Sequence, residues 1–313
     1  RLVGSEMCIR DRNTGLGRDT LFANTTGSYN TAVGQSALEN NTTASYNTAV
    51  GYQAGYSNTT GGLNTYIGLQ AGYANAVYFG NTGVGSLALY NNTGSSNTAV
   101  GGNNNVTEAA LQSNTTGAYN TAIGVSALAS NTTASNNTAV GYQAAYSNVT
   151  GTRLAAFGYG ALYSNTAGYN SAFGAFAAYS NTSGSDNSAF GDQSLYSNTS
   201  GSFNVAVGRA ALSSNTTASY STAVGYQAGY SNTTGTENAY FGYFSGKSNS
   251  VGSYNTYVGV NAGLNTTSSS NTFVGQNAGY YVTTGAKNTI LGSYHGNQGG
   301  LDIRTASNYI VLS

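Results

Sequence analysis

The sequence predicts an all-β fold: a parallel β-solenoid or β-roll of about 17 coils, built on a 17-residue period and drawn out into an elongated rod. Three observations carry this. An NTAVG-like pentad recurs with its last glycine at Gly17, Gly34, Gly51, Gly68, Gly85, Gly101, Gly124, Gly141, Gly158, Gly174, Gly191, Gly208, Gly225, Gly242, Gly259, Gly275 and Gly292; of the 16 intervals, 12 are 17 residues, three are 16 and one is 23. The residue before that glycine is apolar in all 17 copies. Between pentads runs an Asn, Thr, Ser and Gly segment with the chemistry of turns. So short a unit cannot enclose a core by itself, so each copy reads as one coil whose neighbours supply what it lacks.

Within a coil the pentad is the strand, because Thr and a β-branched or aromatic residue favour extended backbone. The invariantly apolar column is assigned as the core: Val33, Val50, Ile67, Val84, Val100, Ile123, Val140, Phe157, Phe173, Phe190, Val207, Val224, Phe241, Val258, Val274 and Leu291. A second strand is expected over the YQALY-like stretch, with a small-residue column at Ala37, Ala54, Ala71, Ala88, Ala127, Ala144 and Ala161. The NTTGS segment after it is a turn, and the residue lost in 16-residue intervals falls there, where length change is tolerated. The long interval places extra residues around Gly102 to Thr107, expected to bulge outward. Asn opens 15 of the 17 pentads. Asn30, Asn47, Asn64, Asn81, Asn97, Asn120 and Asn137 are therefore expected to form a ladder, each amide bonded to its copies above and below.

Three segments follow: a lead at 1–12, the repeat domain at 13–292, and a terminal coil with the start of a C-terminal segment at 293–313. The lead, RLVGSEMCIRDR, fits no repeat and resembles the conceptual translation of sequencing-adapter read-through, so it reads as non-native or disordered. It holds the only cysteine, Cys8, so no disulfide framework is expected. Charged residues make up 6% of the chain and the formal net charge is zero, which lacks the basic field that nucleic acid requires. No apolar run is long enough to insert in a membrane. The small residues beside the Val column, such as Ala49 and Gly51, point to close approach of further chains, three around one axis being the simplest closed solution.

Little in the sequence supports catalysis or a cofactor. His295 is the only histidine, so triads and His-rich metal sites lack material, and it reads as a surface residue. Asp186 and Asp192 share one coil and read as solvated loop acids before they read as a glycosidase pair. Gly299 and Gly300 lack the setting of a phosphate loop.

Tyr56, Tyr73, Tyr90, Tyr146, Tyr163, Tyr179, Tyr196 and Tyr230 occupy one place in successive coils and should form a stripe, either stacked to stiffen the wall or offered to a glycan. N-x-S/T sequons at Asn24, Asn41, Asn58, Asn114, Asn131, Asn148, Asn181, Asn198, Asn215, Asn232 and Asn265 either make turns or accept glycans. The column Thr31, Thr48, Thr65, Thr82 and Thr98 suggests ice binding, though it supplies only one file of hydroxyls.

NTAVG, then YQA, then NTTGS resembles the head repeats of trimeric autotransporter adhesins and related phage tail-fibre and cell-surface fibre repeats, over about residues 13–292. The resemblance implies a left-handed parallel β-roll in a homotrimer. Asn308 to Ser313 resembles the strand that leads toward a chaperone in tail fibres. The function expected is a structural, non-enzymatic, extracellular fibre or adhesin segment at a cell surface or on a virion, touching a glycan or receptor. The alternatives are a self-assembling, glycosylated filament of end-stacked solenoids and, behind it, an ice-binding protein.

Overall fold

A computed structural model describes residues 12–102 and 108–313. The expected non-native lead up to residue 11, with Cys8, and most of the expected bulge lie outside these residues. The chain divides after Ala156 into two compact units.

The first unit carries eight three-residue strands: β1 (Thr14–Leu16), β2 (Thr31–Val33), β3 (Thr48–Val50), β4 (Thr65–Ile67), β5 (Thr82–Val84), β6 (Thr98–Val100), β7 (Thr121–Ile123) and β8 (Thr138–Val140). β9 (Ala155–Phe157) lies at the division. The second unit carries β10 (Ser171–Phe173), β11 (Ser188–Phe190), β12 (Val205–Val207), β13 (Thr222–Val224), β14 (Ala239–Phe241), β15 (Thr256–Val258), β16 (Thr272–Val274) and β17 (Thr289–Leu291). A hairpin of β18 (Asn297–Gln298) and β19 (Leu301–Asp302) and a last strand, β20 (Ile310–Leu312), complete it.

In each unit the strands pair in parallel with like over like, as in Thr31↔Thr48 and Val33↔Val50. The parallel β-solenoid predicted from the period is therefore present in both. The long interval leaves the register untouched, since Thr98 still pairs with Thr121 and Val100 with Ile123. β20 adds to β17 with Leu291 opposite Leu312, so the Asn308–Ser313 stretch continues the ladder and β18–β19 is an excursion within that coil.

Two expectations are corrected. The YQALY-like stretch is not a second strand but a turn with two left-handed residues, such as Gln53 at φ 53° and Gly55 at φ 60°. It nonetheless bonds coil to coil, with Leu38 N–H donating to Ala54 O at 3.0 Å.

The second correction reverses inside and outside. The column Val33, Val50, Ile67, Val84, Val100, Ile123, Val140, Phe157, Phe173, Phe190, Val207, Val224, Phe241, Val258, Val274 and Leu291 is not the core; it is half-exposed or exposed, reaching 45% at Leu291. From β2 to β17 the middle residue of the strand faces in: Ala32, Ala49, Tyr66, Ala99, Ala122, Ala139, Tyr240, Tyr257 and Phe273 are all at 0% exposure. Alternation on a three-residue strand leaves a single inward position, and the middle residue takes it while the residues on either side of it point out. The outward residues stay because they favour extended backbone and pack on their copies in adjacent rungs.

The core is then a volume exchange between the strand's middle position and the turn's second left-handed position. Where the strand offers Ala32, Ala122 or Ala206, the turn offers Leu38, Leu128 or Leu212, all at 0% exposure. Where the strand offers Tyr66, Tyr240, Tyr257 or Phe273, the turn offers Gly72, Gly246, Gly263 or Gly279, and a Cβ on any of these would collide with the ring. The Ala37-type column is buried between them, as its small size suggested. Gly51, with φ 138°, is set by its own neighbour rather than by a second chain: a Cβ there would strike the Gly68 carbonyl one coil on. Gly72→Leu should therefore destabilise strongly, by about 1–3 kcal/mol or more from overpacking. Adding Tyr66→Ala should restore most of the loss by recreating the Ala32–Leu38 pairing. Urea melts of the two variants check this.

Candidate functional site

Among the described residues no group of three His, Cys, Asp or Glu is placed to hold a metal, and no helix is long and apolar enough to cross a membrane. Asp192 pairs with exposed Arg209 at 3.3 Å. His295 is half-buried and meets Tyr281 edge to face at 6.2 Å. The candidate functional features are the columns that the solenoid makes of each repeat position.

Two asparagine columns lie inside. In the column that opens the strands, the side-chain oxygen accepts from the backbone N–H one coil on. Asn47 N–H donates to Asn30 Oδ1 at 3.0 Å, and the series continues through Asn64, Asn81, Asn97, Asn120 and Asn137. The ladder is present, but it runs side chain to backbone rather than amide to amide. Only a backbone N–H is asked of the residue one coil on, so Leu154 can fill that place by donating its N–H to Asn137 Oδ1 at 3.0 Å. Each amide nitrogen turns back into its own coil, as when Asn30 Nδ2 donates to Ala44 O at 2.8 Å.

The sequon column forms the amide-to-amide ladder. Asn41 Nδ2 donates to Asn24 Oδ1 at 2.9 Å, Asn58 to Asn41 at 2.8 Å, Asn131 to Asn114 at 2.7 Å and Asn148 to Asn131 at 3.1 Å. In the second unit Asn181, Asn198, Asn215 and Asn232 continue the pattern. The glycosylation reading is corrected accordingly: Asn41, Asn58, Asn114, Asn131, Asn148, Asn181, Asn198, Asn215 and Asn232 are at 0–1% exposure with both amide hydrogens engaged, so the folded coil does not present them. Asn24 and Asn265 alone of the eleven are half-buried.

This ladder stops where a tyrosine enters the core. Asn75 Nδ2 donates to Tyr66 Oη at 2.6 Å and Asn249 Nδ2 to Tyr240 Oη at 2.6 Å, which leaves Asn58 Oδ1 and Asn232 Oδ1 buried without partners. Burial holds the Tyr66, Tyr240 and Tyr257 phenols well above the usual tyrosine range, with the hydrogen bonds opposing only in part.

The tyrosine stripe exists. Tyr56, Tyr73 and Tyr90 stack at 5.2 and 5.1 Å, and Tyr163, Tyr179 and Tyr196 at 4.9 and 5.4 Å. These rings, with Tyr146 and Tyr230, are half-buried. A second aromatic column, missed in the sequence, is more open: Tyr29, Tyr46, Tyr119, Tyr169, Phe203, Tyr220 and Tyr254 are 43–66% exposed, with stacked pairs Tyr29–Tyr46 at 4.8 Å and Phe203–Tyr220 at 5.1 Å. Its signal was the aromatic placed immediately before the pentad, as in Tyr46-Asn47.

The strand exterior is the third feature. Threonine and the Val-column residue project from the same face, flanking the inward position. Loop threonines spend their hydroxyls on the next coil, as Thr42 Oγ1 does on Thr59 O at 3.1 Å. The hydroxyls of Thr31, Thr48, Thr65, Thr82, Thr98, Thr121 and Thr138 have no partner among the described residues.

Asn131→Ala should leave Asn114 Oδ1 and one Asn148 amide hydrogen buried and unpaired, at about 1–3 kcal/mol each, while Asn24→Ala, at a half-buried end, should cost less. Urea midpoints rank the two. Stability should also fall as pH rises past 10.0, the ordinary tyrosine value, because the unfolded chain ionises there and the three buried phenols do not. Below that pH the contribution is complete. A Tyr66→Phe, Tyr240→Phe, Tyr257→Phe variant should show a shallower alkaline decline in Tm.

Compared with known proteins, the chain matches no family model and no curated sequence.

Proposed function

We propose that this chain is a structural, non-enzymatic segment of an extracellular fibre or adhesin, displayed at a cell surface or on a virion and making contact through its outward columns. The observation that carries the reading is that within each unit one coil bonds to the next by repeating, residue-for-residue links. Such an arrangement extends by adding coils and presents the same surface chemistry again and again, which suits reach and multivalent contact.

The exposed aromatic column is the surface best suited to a cell-surface glycan, since a pair such as Phe203–Tyr220 presents an apolar platform of the kind that packs against a sugar ring. The half-buried Tyr56-type stripe serves the wall first. A homotrimer would have to be assembled through outward faces, because stacking within one chain already closes the alanine-lined interior.

The test is display of the chain from an unrelated surface anchor. Displaying cells should be retained on mucin-coated plates several times better than cells carrying the anchor alone, and Phe203→Ala with Tyr220→Ala should lower that retention without changing the urea midpoint. Retention equal to the anchor control overturns the reading.

A further inference from the structure

The outward strand face of the first unit holds a regularity that the second unit lacks. From β2 to β8 the two outward positions read Thr–Val, Thr–Val, Thr–Ile, Thr–Val, Thr–Val, Thr–Ile and Thr–Val. In the second unit Thr gives way to Ser171, Ser188, Val205 and Ala239, and Phe157, Phe173 and Phe190 stack their rings at 4.7 and 4.9 Å along the other file. The first unit thus carries seven successive rungs of one hydroxyl file and one branched aliphatic file, on a single face of one in-register parallel sheet.

Among the described residues those hydroxyls have no protein partner, whereas loop threonines at equally regular positions are bonded to the next coil. The strand positions and the columns on either side, from Tyr29 to Asn136 before the asparagine and from Gln35 to Tyr142 after the glycine, contain no charged residue. An ionic partner therefore has nothing to pair with.

Strands spaced about 4.7–4.9 Å apart make the seven rungs a face of roughly 35 by 10 Å, about 350 Å². A stable protein interface needs roughly 800 Å² from each partner, so a second copy of this chain is a poor fit for this face. Crystalline polysaccharide is bound through aromatic platforms, and the outward positions of β2–β8 hold none. What matches a narrow, uncharged, repeating file of hydroxyls and methyls is a surface with its own lattice. Hydroxyls anchor water at each rung while the flanking methyls hold it in place without competing bonds.

We propose that the Thr-x-Val/Ile face of β2–β8 binds ice through a layer of water ordered on this array. The aliphatic file supplies the second row that a lone threonine column lacks. The proposal is independent of the adhesive reading, since ice binding requires no glycan contact and uses a different column.

The experiment measures thermal hysteresis and ice recrystallisation in solutions of the full chain, beside Thr82→Lys on the array and Thr26→Lys on an exposed loop. Circular dichroism and the urea midpoint establish that each variant is folded, and Thr65→Lys replaces Thr82→Lys if the latter is not. The expected result is hysteresis with faceted crystals for the natural chain and for Thr26→Lys, and loss of both for the array variant. Absence of hysteresis in the natural chain overturns the proposal, as does equal loss in Thr26→Lys. Retention on crystalline cellulose without hysteresis overturns it, and so does an oligomer by sedimentation that Thr82→Lys dissociates. Failure of the mucin assay leaves these outcomes unchanged, so the two readings fall separately.

Discussion

One carbonyl per coil organises this protein. Ala44 O accepts from Asn30 Nδ2 at 2.8 Å and from Asn41 Nδ2 at 3.1 Å, and Gly61 O, Ala134 O and Gly201 O repeat the arrangement with their own two asparagines. One asparagine reaches from the start of the strand and the other from the turn, so the shared acceptor ties both ends of the coil together. Each of those asparagines also bonds to a neighbouring coil, and the same side chains that close a rung therefore fix its height over the next. Burying so many amides would be costly without these partners, and each of these amide nitrogens has two acceptors or one acceptor beside a bonded side-chain oxygen.

Once the amides close the rung, what remains inside is small and its volume is fixed. Leucine opposite alanine and glycine opposite tyrosine or phenylalanine are two ways of filling it. Ala49 and Gly55 show how tightly the sum is kept: both are small, and the space is taken from the coils on either side by Leu38 and Tyr66. A tyrosine brings a hydroxyl as well as a ring, and Asn75 and Asn249 leave the amide ladder to meet it. Local packing thus decides where the polar ladder is interrupted.

With core and ladder both inside, the outward columns are released from structural duty to different degrees. Loop threonines are spent on the next coil, the Tyr56-type rings stiffen the wall, and the strand threonines and pre-pentad aromatics face solvent. Any function carried by these units is read from such columns and multiplied by the repeat, so a change at one rung removes one element of an array.

The period, the parallel register and the positions of the pentad strands β1–β17 were legible in the sequence, because like residues at fixed spacing can satisfy one another only by stacking. The YQALY-like stretch, expected as a strand, was not, since its left-handed turn is set by the closing of the coil. The buried asparagines of the pentad were legible for the same reason. What the sequence could not assign was direction. Val50 is the most consistently apolar position and Ala49 the smallest of the strand, which reads as core beside filler, yet Ala49 is inside and Val50 outside. Asn131 carries the signal of a glycan acceptor and proves to be a ladder rung. Periodicity depends on neighbours along the chain, which the sequence contains. Which face of a three-residue strand turns inward depends on the width of the closed coil, and that width exists only once the left-handed turns and paired asparagines have drawn the coil shut.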